Sequence, residues 1–329
     1  MINVGIIGAG HFGAVHARAV GRQAAARVHA VCGGNPAQAA AFAALHGGQP
    51  CRDWQALLDD NSVDAVVIAT PHHLHTEIAV AAIEAGKHVL LEKPMAPTSR
   101  DCGAIEAAAS RSDTVLTIGH VMHFFRPIMV ARDILVSGRL GRPVTGMSRL
   151  VKLWMESNRR PWHLDPRTGG GMLMTAGIHA LDQLVWLMDS RVAAVTALGG
   201  AFFHDQAADD TAYLGLRFVD RRIGQVSSIG YRDGAVSSSL QIVCEDGVLD
   251  VDLNTGVHVG QGTKWSPVAD SWQADGMDEA VYREWTDFLY AIETGGPPPV
   301  DATYGRHIVE IVTAALTSAG EHREILIDG

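Results

Sequence analysis

The sequence predicts an α/β protein with an N-terminal doubly wound parallel sheet, followed by a second α/β domain built on a large, mainly antiparallel open sheet. From residue 2 to about residue 120, short apolar runs alternate with alanine-rich helical stretches, which is typical of a parallel sheet covered on both faces. After about residue 140, apolar and polar residues alternate one by one, which favours half-buried antiparallel strands. The 329 residues suffice for two domains, which we place at 1–120 and 121–329.

The first half supplies its elements in strict alternation. Strands are expected at 4–7, 28–31, 65–69, 88–91 and 115–118, with helices at 11–24, 37–46, 74–86 and 99–110. In the third of these helices Leu74, Ile78 and Ala82 recur at helical spacing, and Gly86 follows where a C-cap glycine belongs. This order predicts βαβ units and a Rossmann-type sheet.

In the second half of the chain the spacing of apolar residues changes. Leu214, Leu216 and Phe218 alternate with polar residues, and residues 245–247 form a turn signal between two further alternating runs. A helix at 172–188 precedes these strands, and helices at 279–293 and 304–318 close the chain. The closing helix is expected to pack back on the first domain. The pattern predicts a half-buried antiparallel sheet.

Composition narrows the class of partner. Lys and Arg number 26 against 36 Asp and Glu, which gives a net charge of −10, and no basic block is present. This charge argues against nucleic acid and acidic membrane surfaces as partners. The four cysteines are far apart, and no apolar run approaches the roughly 18 residues of a membrane span. We therefore expect a cytoplasmic protein with reduced thiols that acts on a small molecule.

A glycine-rich turn directly follows the first predicted strand and opens the first helix. It comprises Gly8, Gly10, His11, Phe12 and Gly13. In this setting the first glycine allows the turn, the second lets the backbone approach a pyrophosphate, and the third lets helix pack on strand. The helix N-terminus then supplies N–H donors to the phosphates. A tight bend with no ligand is the alternative, but the order of strand, turn and helix favours a dinucleotide.

The end of the second strand bears on the choice of cofactor. An acidic residue usually stands there to bind the ribose hydroxyls of NAD, but this chain has Gly33, followed by Gly34 and Asn35. These residues and the following helix N-terminus are expected to form an anion-binding concavity. No Arg or Lys lies nearby to bind a 2′-phosphate. The sequence leaves NADP and NAD open, with a slight preference for NADP.

Several further motifs carry a resemblance to a known family. They are Thr-Pro-His-His-Leu-His at 70–75, Gly-Lys-His-Val-Leu-Leu-Glu-Lys-Pro at 86–94, Gly-Arg-Leu-Gly-Arg-Pro at 138–143, the glycine run and Gly-Ile-His-Ala-Leu-Asp within 169–182, and the closing pattern at 288–318. On these motifs the chain resembles the glucose-fructose oxidoreductase, inositol dehydrogenase and MocA family over nearly its whole length. The resemblance implies a Rossmann domain, a C-terminal open-sheet domain, and NAD(P)-dependent oxidation or reduction of a sugar, cyclitol or related polyol. It also implies a homodimer or homotetramer formed through the C-terminal sheet.

The resemblance assigns roles to individual residues. The turn beside the nicotinamide ribose corresponds to Thr70, Pro71, His72 and His75, and the family's Glu-Lys-Pro element corresponds to Glu92, Lys93 and Pro94. The lysine of that element touches both the ribose and the substrate oxygen, and His179 matches the active-site histidine. The aspartate that polyol dehydrogenases carry four residues before this histidine is Thr175 here.

Independently of the family resemblance, the types and positions of these residues suit acid–base chemistry. Lys93 follows a strand at the edge where open α/β sheets bind ligands, and a partly buried lysine can act as an acid or base near neutral pH. At 100° per residue, Thr175, His179 and Asp182 share one polar stripe of the helix at 172–188. A surface lysine and a solvated helix edge are the alternatives.

Residues near the glycine run are candidates for binding the substrate. Trp162 is placed to cover a ring and Arg159 to hold a carboxylate, although Trp162 is equally suited to packing between domains. His120, His123 and Asp182 complete this group. Sixteen histidines raise the question of a metal, but no second pair of ligands complements the 72–75 turn, so we expect none.

These observations predict an NAD(P)-dependent oxidoreductase that transfers a hydride between nicotinamide and an alcohol or carbonyl of a sugar-, polyol- or hydroxy-acid-like substrate. Two alternatives remain open. The chain could hold NAD tightly and use transient oxidation for elimination or glycoside cleavage, or it could be a non-catalytic dinucleotide sensor.

Overall fold

Two sheets, each with its own helices, organise the chain. The computed structural model describes residues 1–157, 159–272 and 276–327. One structural unit comprises Met1–Val121 and Asp275–Arg306, and the other comprises Met122–Ala274 and His307–Gly329. The first unit thus contains residues 1–120, the predicted first domain, and also a segment from near the end of the chain. No helix among the described residues is long and apolar enough to cross a membrane.

The strands form one parallel and one mixed sheet. They run β1 Ile2–Ile7, β2 Ala26–Cys32, β3 Gln49–Pro50, β4 Ala65–Ile68, β5 His88–Glu92, β6 Leu116–Gly119, β7 Pro143–Leu153, β8 Val192–Gly200, β9 Thr211–Phe218, β10 Ile223–Tyr231, β11 Ser237–Cys244, β12 Gly247–Asp252, β13 Gly256–Gln261, β14 Lys264–Pro267 and β15 Ile325–Leu326.

The α-helices of the described residues cover the sheets. They run α1 His11–Arg22, α2 Pro36–His46, α3 Trp54–Leu58, α4 His75–Glu84, α5 Ser99–Ala109, α6 Arg126–Val136, α7 Ile178–Met188, α8 Gly276–Thr294 and α9 Ala302–Glu321.

The sheet of the first unit has the order β3-β2-β1-β4-β5-β6, and its paired strands are parallel. The four residues of β4 are all buried, as expected for a strand between two layers of helices. Local signals set the ends of the helices, because Asn35 caps α2 through its side chain and Gly86 follows α4 with a φ of 72°. The strand order reverses between β1 and β4, which is where such sheets bind ligands.

The sheet of the second unit has the order β14-β13-β12-β11-β7-β10-β9-β8-β15. Its pairs are antiparallel except for β7 with β10, so the predicted fold class is confirmed with one parallel pair added. The predicted hairpin joins β11 to β12, where Cys244 pairs with Gly247. From Ala212 to Phe218 along β9, buried and exposed residues alternate one by one, as the sequence pattern predicts. Helix α7 packs on one face of this sheet.

The predicted helix at 172–188 differs from expectation in its first turns. Leu173–Gly177 is a π-helix, and the α-helix begins only at Ile178. A residue spacing of 100° therefore does not apply between Thr175 and His179, so their predicted common stripe is not established. The sequence could not reveal this turn, because π-helical segments depend on tertiary packing and often mark functional sites.

Candidate active site

Three loops of the first unit meet at one edge of the parallel sheet. Strand β1 pairs with β4, and β4 pairs with β5, all in the same direction. Their carboxyl ends therefore bring the glycine turn, Thr70 and Lys93 to neighbouring positions. This edge includes the reversal of strand order, so its geometry is that of a ligand site in an open α/β sheet.

The glycines of the turn have different roles. Gly8 has a φ of 117°, and a Cβ on it would lie 2.4 Å from the carbonyl oxygen of Ala69. A Cβ on Gly13 would lie 2.0 Å from the carbonyl oxygen of Gly8. A Cβ on Gly10 would meet nothing within 4 Å, and no side chain caps the N-terminus of α1 there. Gly8 and Gly13 are needed by the fold, whereas Gly10 keeps open a space at a helix N-terminus that fits a pyrophosphate.

The predicted anion-binding concavity after β2 is not supported. The N–H of Gly34 donates to Oε1 of Gln38 at 2.9 Å, and the N–H of Gln38 donates to Oδ1 of Asn35 at 2.9 Å. Nε2 of Gln38 donates to the carbonyl of Ala9 at 3.0 Å, which joins this loop to the glycine turn. These N–H groups already have acceptors, so they are not available to a 2′-phosphate.

His75 connects two loops of the site. The ring is fully buried, with Nδ1 at 2.9 Å from the carbonyl oxygen of Pro94 and Nε2 at 2.9 Å from that of Thr70. Burial lowers the pKa of His75, which favours the neutral ring with one N–H. The ring thus donates to one of the two carbonyls at a time. His72, which contacts His75 edge to face at 5.8 Å, is also buried. Both histidines shape the turn around Pro71.

Glu92 is bonded on both oxygens. Oε1 lies 2.8 Å from Nε2 of His16, and Oε2 accepts the main-chain N–H of Lys93 at 3.2 Å. The side chain of Glu92 is buried, whereas Lys93 is partly exposed. The predicted Glu-Lys-Pro element is therefore anchored by its glutamate, and its lysine reaches the surface of the unit.

In the second unit, the glycine run fixes the π-helical turn. A Cβ on Gly171 would lie 2.2 Å from Oδ1 of Asp209, whose Oδ2 accepts the N–H of Leu173 at 2.8 Å. Burial raises the pKa of Asp209 to about 6. In this turn Thr175 is buried at 8% exposure, and His179 on α7 is half-buried.

Asp182 and His123 form a buried pair in the second unit. Oδ1 of Asp182 lies 2.8 Å from Nε2 of His123, and the imidazole stacks on Trp186 with ring centroids 4.0 Å apart. Asp182 is 0% exposed. This corrects its predicted contact with substrate: a carboxylate with no exposed surface orients His123 instead.

His120 and His123, which are expected to bind the substrate, are both buried, and their role in substrate binding stays a prediction. Their exposed fractions are 1% and 6%, and they belong to different units. His120 packs edge to face on Tyr304 at 5.6 Å between ring centroids. Aromatic packing holds both rings, and the bond to Asp182 also holds that of His123.

Arg159 is already paired within its own loop. Its Nε donates to the carbonyl of Trp154 at 2.6 Å, its guanidinium pairs with Glu156 at 2.9 Å, and it lies over the indole of Trp154 at 4.3 Å. The expectation that Arg159 holds a substrate carboxylate is therefore not supported. Trp162 stacks on His163 with centroids 3.6 Å apart and remains partly exposed.

Three residues that support these candidate sites were not predicted from the sequence. They are His16, Asp209 and Glu284, the last of which has a carboxyl oxygen within 4.8 Å of polar atoms of His16 and Glu92. Glu284 had a readable signal, because it lies on the apolar face of α8 between Val281 and Phe288. A charged residue within an apolar stripe indicates a buried polar site. His16 and Asp209 had no comparable signal.

The strand order, the reversal point and the open glycine turn define a dinucleotide-binding protein of the Rossmann type. More particularly, the chain belongs to the glucose-fructose oxidoreductase, inositol dehydrogenase and MocA family of oxidoreductases, as its sequence motifs predicted. The model of the family's NAD-binding Rossmann fold matches residues 2–120, and that of its C-terminal domain matches residues 128–250.

Individual relatives agree with this assignment. The chain is 32% identical to inositol 2-dehydrogenase of Streptomyces avermitilis over 320 residues, 92% of this chain and 88% of that protein. It is 32% identical to 1,5-anhydro-D-fructose reductase of Ensifer adhaerens over 56% of each chain. It shares its fold with levoglucosan dehydrogenase in complex with NADH and levoglucosan, at a TM-score of 0.90, 24% identity and full coverage of both chains. The matches span about half to three fifths of the length of the first curated relatives.

Proposed function

We propose that this protein is an NAD(P)-dependent oxidoreductase that interconverts an alcohol and a carbonyl on a sugar- or polyol-like substrate. The observation that carries the proposal is the edge formed by the ends of β1, β4 and β5. There an open helix N-terminus at Gly10 adjoins the loops of Thr70 and Lys93. A dinucleotide cradle beside a partly exposed lysine is suited to hydride transfer coupled to proton transfer.

The residues of the chain would supply binding and proton transfer. The turn around Gly10 would bind the pyrophosphate, and the loops of Thr70 and Lys93 the nicotinamide ribose. When bound, the nicotinamide supplies the hydride chemistry at a carbinol or carbonyl carbon. Lys93 would take up or return the proton of the substrate hydroxyl. His179, on the helix that Asp209 and Gly171 anchor, is the second candidate for this exchange.

For the cofactor, we propose that NAD and NADP both bind with little discrimination. Gly33 offers no carboxylate to bind the ribose hydroxyls of NAD and repel a 2′-phosphate. The neighbouring amides of Gly34 and Gln38 are occupied, which removes the support for an NADP preference. Neither cofactor therefore has a dedicated partner at this position.

For the substrate, we propose a neutral sugar or cyclitol in preference to a hydroxy acid. The guanidinium of Arg159 already forms an ion pair with Glu156 within its own loop, so it does not support binding of a substrate carboxylate. The relatives named as inositol 2-dehydrogenase and 1,5-anhydro-D-fructose reductase support a polyol or sugar class. Thr175, in place of an aspartate, can donate or accept a hydrogen bond but carries no charge.

A screen of turnover tests the function. NAD and NADP are each offered with cyclitols, aldoses, anhydrosugars and hydroxy acids, and the near-ultraviolet absorbance of the reduced nicotinamide is followed. We expect steady formation of reduced cofactor with a cyclitol or sugar. Substrate conversion without net formation of reduced cofactor would instead support transient oxidation by a retained cofactor. Binding of cofactor with no conversion of any substrate would support a sensor.

We also propose that the protein forms homo-oligomers through the second sheet. The face opposite α7 exposes Met147, Leu198, Tyr213 and Ile223 on four neighbouring strands. Exposed apolar side chains on neighbouring strands favour burial against a second copy. The four cysteines of the chain are free thiols, which supports our further proposal of a cytoplasmic location. Light scattering on the intact protein, and on a Leu198→Lys variant expected to dissociate, tests the assembly.

A further inference from the structure

A buried cluster in the first unit adjoins Lys93. His16 on α1, Glu92 at the end of β5 and Glu284 on α8 each place one nitrogen or oxygen within 4.8 Å of the others. Their exposed fractions are 0%, 6% and 1%. Among the described residues, neither carboxyl oxygen of Glu284 has a hydrogen-bond partner. A buried carboxyl group without a partner needs a physical explanation, because burying an unpaired charge is costly.

The bonds of His16 determine which ring nitrogen carries its proton. The indole N–H of Trp285, which can only donate, bonds Nδ1 of His16 at 2.9 Å. Nδ1 is therefore an acceptor, and the ring proton lies on Nε2, which donates to Oε1 of Glu92 at 2.8 Å. Oε2 of Glu92 accepts the main-chain N–H of Lys93. Both oxygens of Glu92 thus accept hydrogen bonds, as those of an ionised carboxylate do.

The same bonds argue against a metal ion, although the three side chains are of metal-binding types. A metal would need the lone pair of Nε2 of His16, and the neutral ring would then carry its proton on Nδ1. That proton would face the N–H of Trp285, and two donors cannot form one hydrogen bond. The donor set therefore favours a proton at this site.

Glu284 is the group that takes this proton. Burial, followed by the negative charge of Glu92, raises the pKa of Glu284 well above its usual range. Two ionised carboxylates this close in a buried site repel each other. The ring of His16 accepts the indole N–H of Trp285 on Nδ1 and donates from Nε2 to Glu92, and in this bonding it has no positive charge to offset the repulsion. Because two donors hold Glu92 in its ionised form, Glu284 is the neutral member of the pair.

We propose that Glu92 is a positioning residue for Lys93, that Trp285 and His16 hold it as the carboxylate, and that Glu284 is the neutral acid beside it. The proposal rests on the proposed function, in which Lys93 exchanges a proton with the substrate hydroxyl. Glu92 fixes the main chain at Lys93 through one hydrogen bond. Its single negative charge also favours the ammonium form of the neighbouring lysine.

Infrared spectroscopy of the intact protein tests the location of the proton without any substrate. A protonated carboxyl group in a dry site has a carbonyl stretch that is well separated from the carboxylate bands. We expect this band at neutral pH in the wild-type protein and its loss in Glu284→Gln. Glu279→Gln is the matched control, since Glu279 lies on the same helix but pairs with Arg22 near the surface. A band that survives in Glu284→Gln, or that is absent from the wild type, would overturn the proposal.

Kinetics test the positioning role. We expect Glu92→Gln to lower kcat by about tenfold or more, with the Kd for NAD within about twofold. We also expect the limb of the pH–rate profile that reports Lys93 to move to lower pH. Trp285→Phe, which removes only the indole N–H, should change the profile in the same direction and keeps the test usable if Glu92→Gln does not fold. Trp154→Phe is the control, because it also loses one buried indole bond, to Gln206, in the second unit.

The outcomes separate this proposal from the proposed function. A wild-type kcat and pH profile in Glu92→Gln and Trp285→Phe, combined with an inactive Lys93→Met, would overturn the positioning role alone. An active Lys93→Met would overturn the proposed function and the positioning role with it. Stoichiometric binding of Zn²⁺ to the wild-type protein but not to His16→Asn would show a metal site and overturn the neutral acid at Glu284.

Discussion

Gly10→Val separates binding of the cofactor from folding. At Gly10 the backbone has φ −94° and ψ −167°, an extended conformation that valine adopts readily. No atom lies within 4 Å of an added Cβ. The free energy of unfolding should therefore change by less than about 1 kcal/mol.

The same side chain would occupy the space at the N-terminus of α1. A pyrophosphate displaced from that position loses charge-assisted hydrogen bonds worth about 1.5–3 kcal/mol each. Loss of two such bonds corresponds to an increase in Kd of at least about 100-fold. Titration of NADH, followed by its fluorescence or by calorimetry, measures this change.

Two other glycines provide controls on α1. Gly21 also has nothing within 4 Å of an added Cβ but lies far along the helix from the turn, so Gly21→Val should keep wild-type affinity. Gly13→Ala should prevent correct folding, because its Cβ would lie 2.0 Å from the carbonyl oxygen of Gly8. A folded Gly10→Val protein that binds NADH as the wild type does would refute the assignment of the cradle.

Three further predictions concern cofactor choice at Gly33, the buried carboxyl group of Asp209 and the hydroxyl group of Thr175. The Kd values of wild-type protein for NAD and NADP should differ by less than about tenfold, and Gly33→Asp should favour NAD by at least that factor; a strong wild-type preference for either cofactor contradicts the account of this loop. Because the folded pKa of Asp209 is about 6 against an ordinary 3.8, its protonated form is favoured by folding, so the contribution of this group to the free energy of unfolding should fall by roughly 3 kcal/mol as pH rises from about 4 to about 6. Asp209→Asn should lack this contribution, so the free energies of unfolding of the wild type and the variant, measured in urea across that pH window, should change differently with pH. Parallel changes in the two proteins would contradict the assignment to Asp209. Thr175→Asp should retain or raise kcat on polyols if the hydroxyl stands in for a carboxylate, whereas loss of all turnover would mean that Thr175 contacts a different substrate group.

The parallel sheet could be predicted from the sequence because its signals are local. Continuously apolar strands, the cap glycine at Gly86 and the glycine turn each depend on neighbouring residues. The order of these signals also determines the topology of a Rossmann sheet. The separate roles of Gly8, Gly10 and Gly13 were also predicted from the motif, and the structure adds the distances that distinguish a steric requirement from an open space.

The candidate site of the second unit was less predictable because it depends on distant contacts. The π-helical turn at Thr175 is anchored by Asp209, which lies far along the chain. The carboxylate of Asp182 and the guanidinium of Arg159 have polar partners that no spacing rule indicates. Their expected roles in substrate binding were inferred from residue type, and pairing within the fold changed that interpretation.

The most direct test of the central claim is the turnover of Lys93→Met, measured together with its affinity for cofactor. Hydride leaves a carbinol carbon only as the hydroxyl proton is removed, so a base must lie within about 3 Å of that oxygen. The account predicts a kcat lower by roughly 100-fold or more on the substrate found in the screen, with the Kd for NAD changed by much less. A Lys93→Met enzyme with wild-type kcat would contradict the assignment of the acid–base residue and the mechanism built on it.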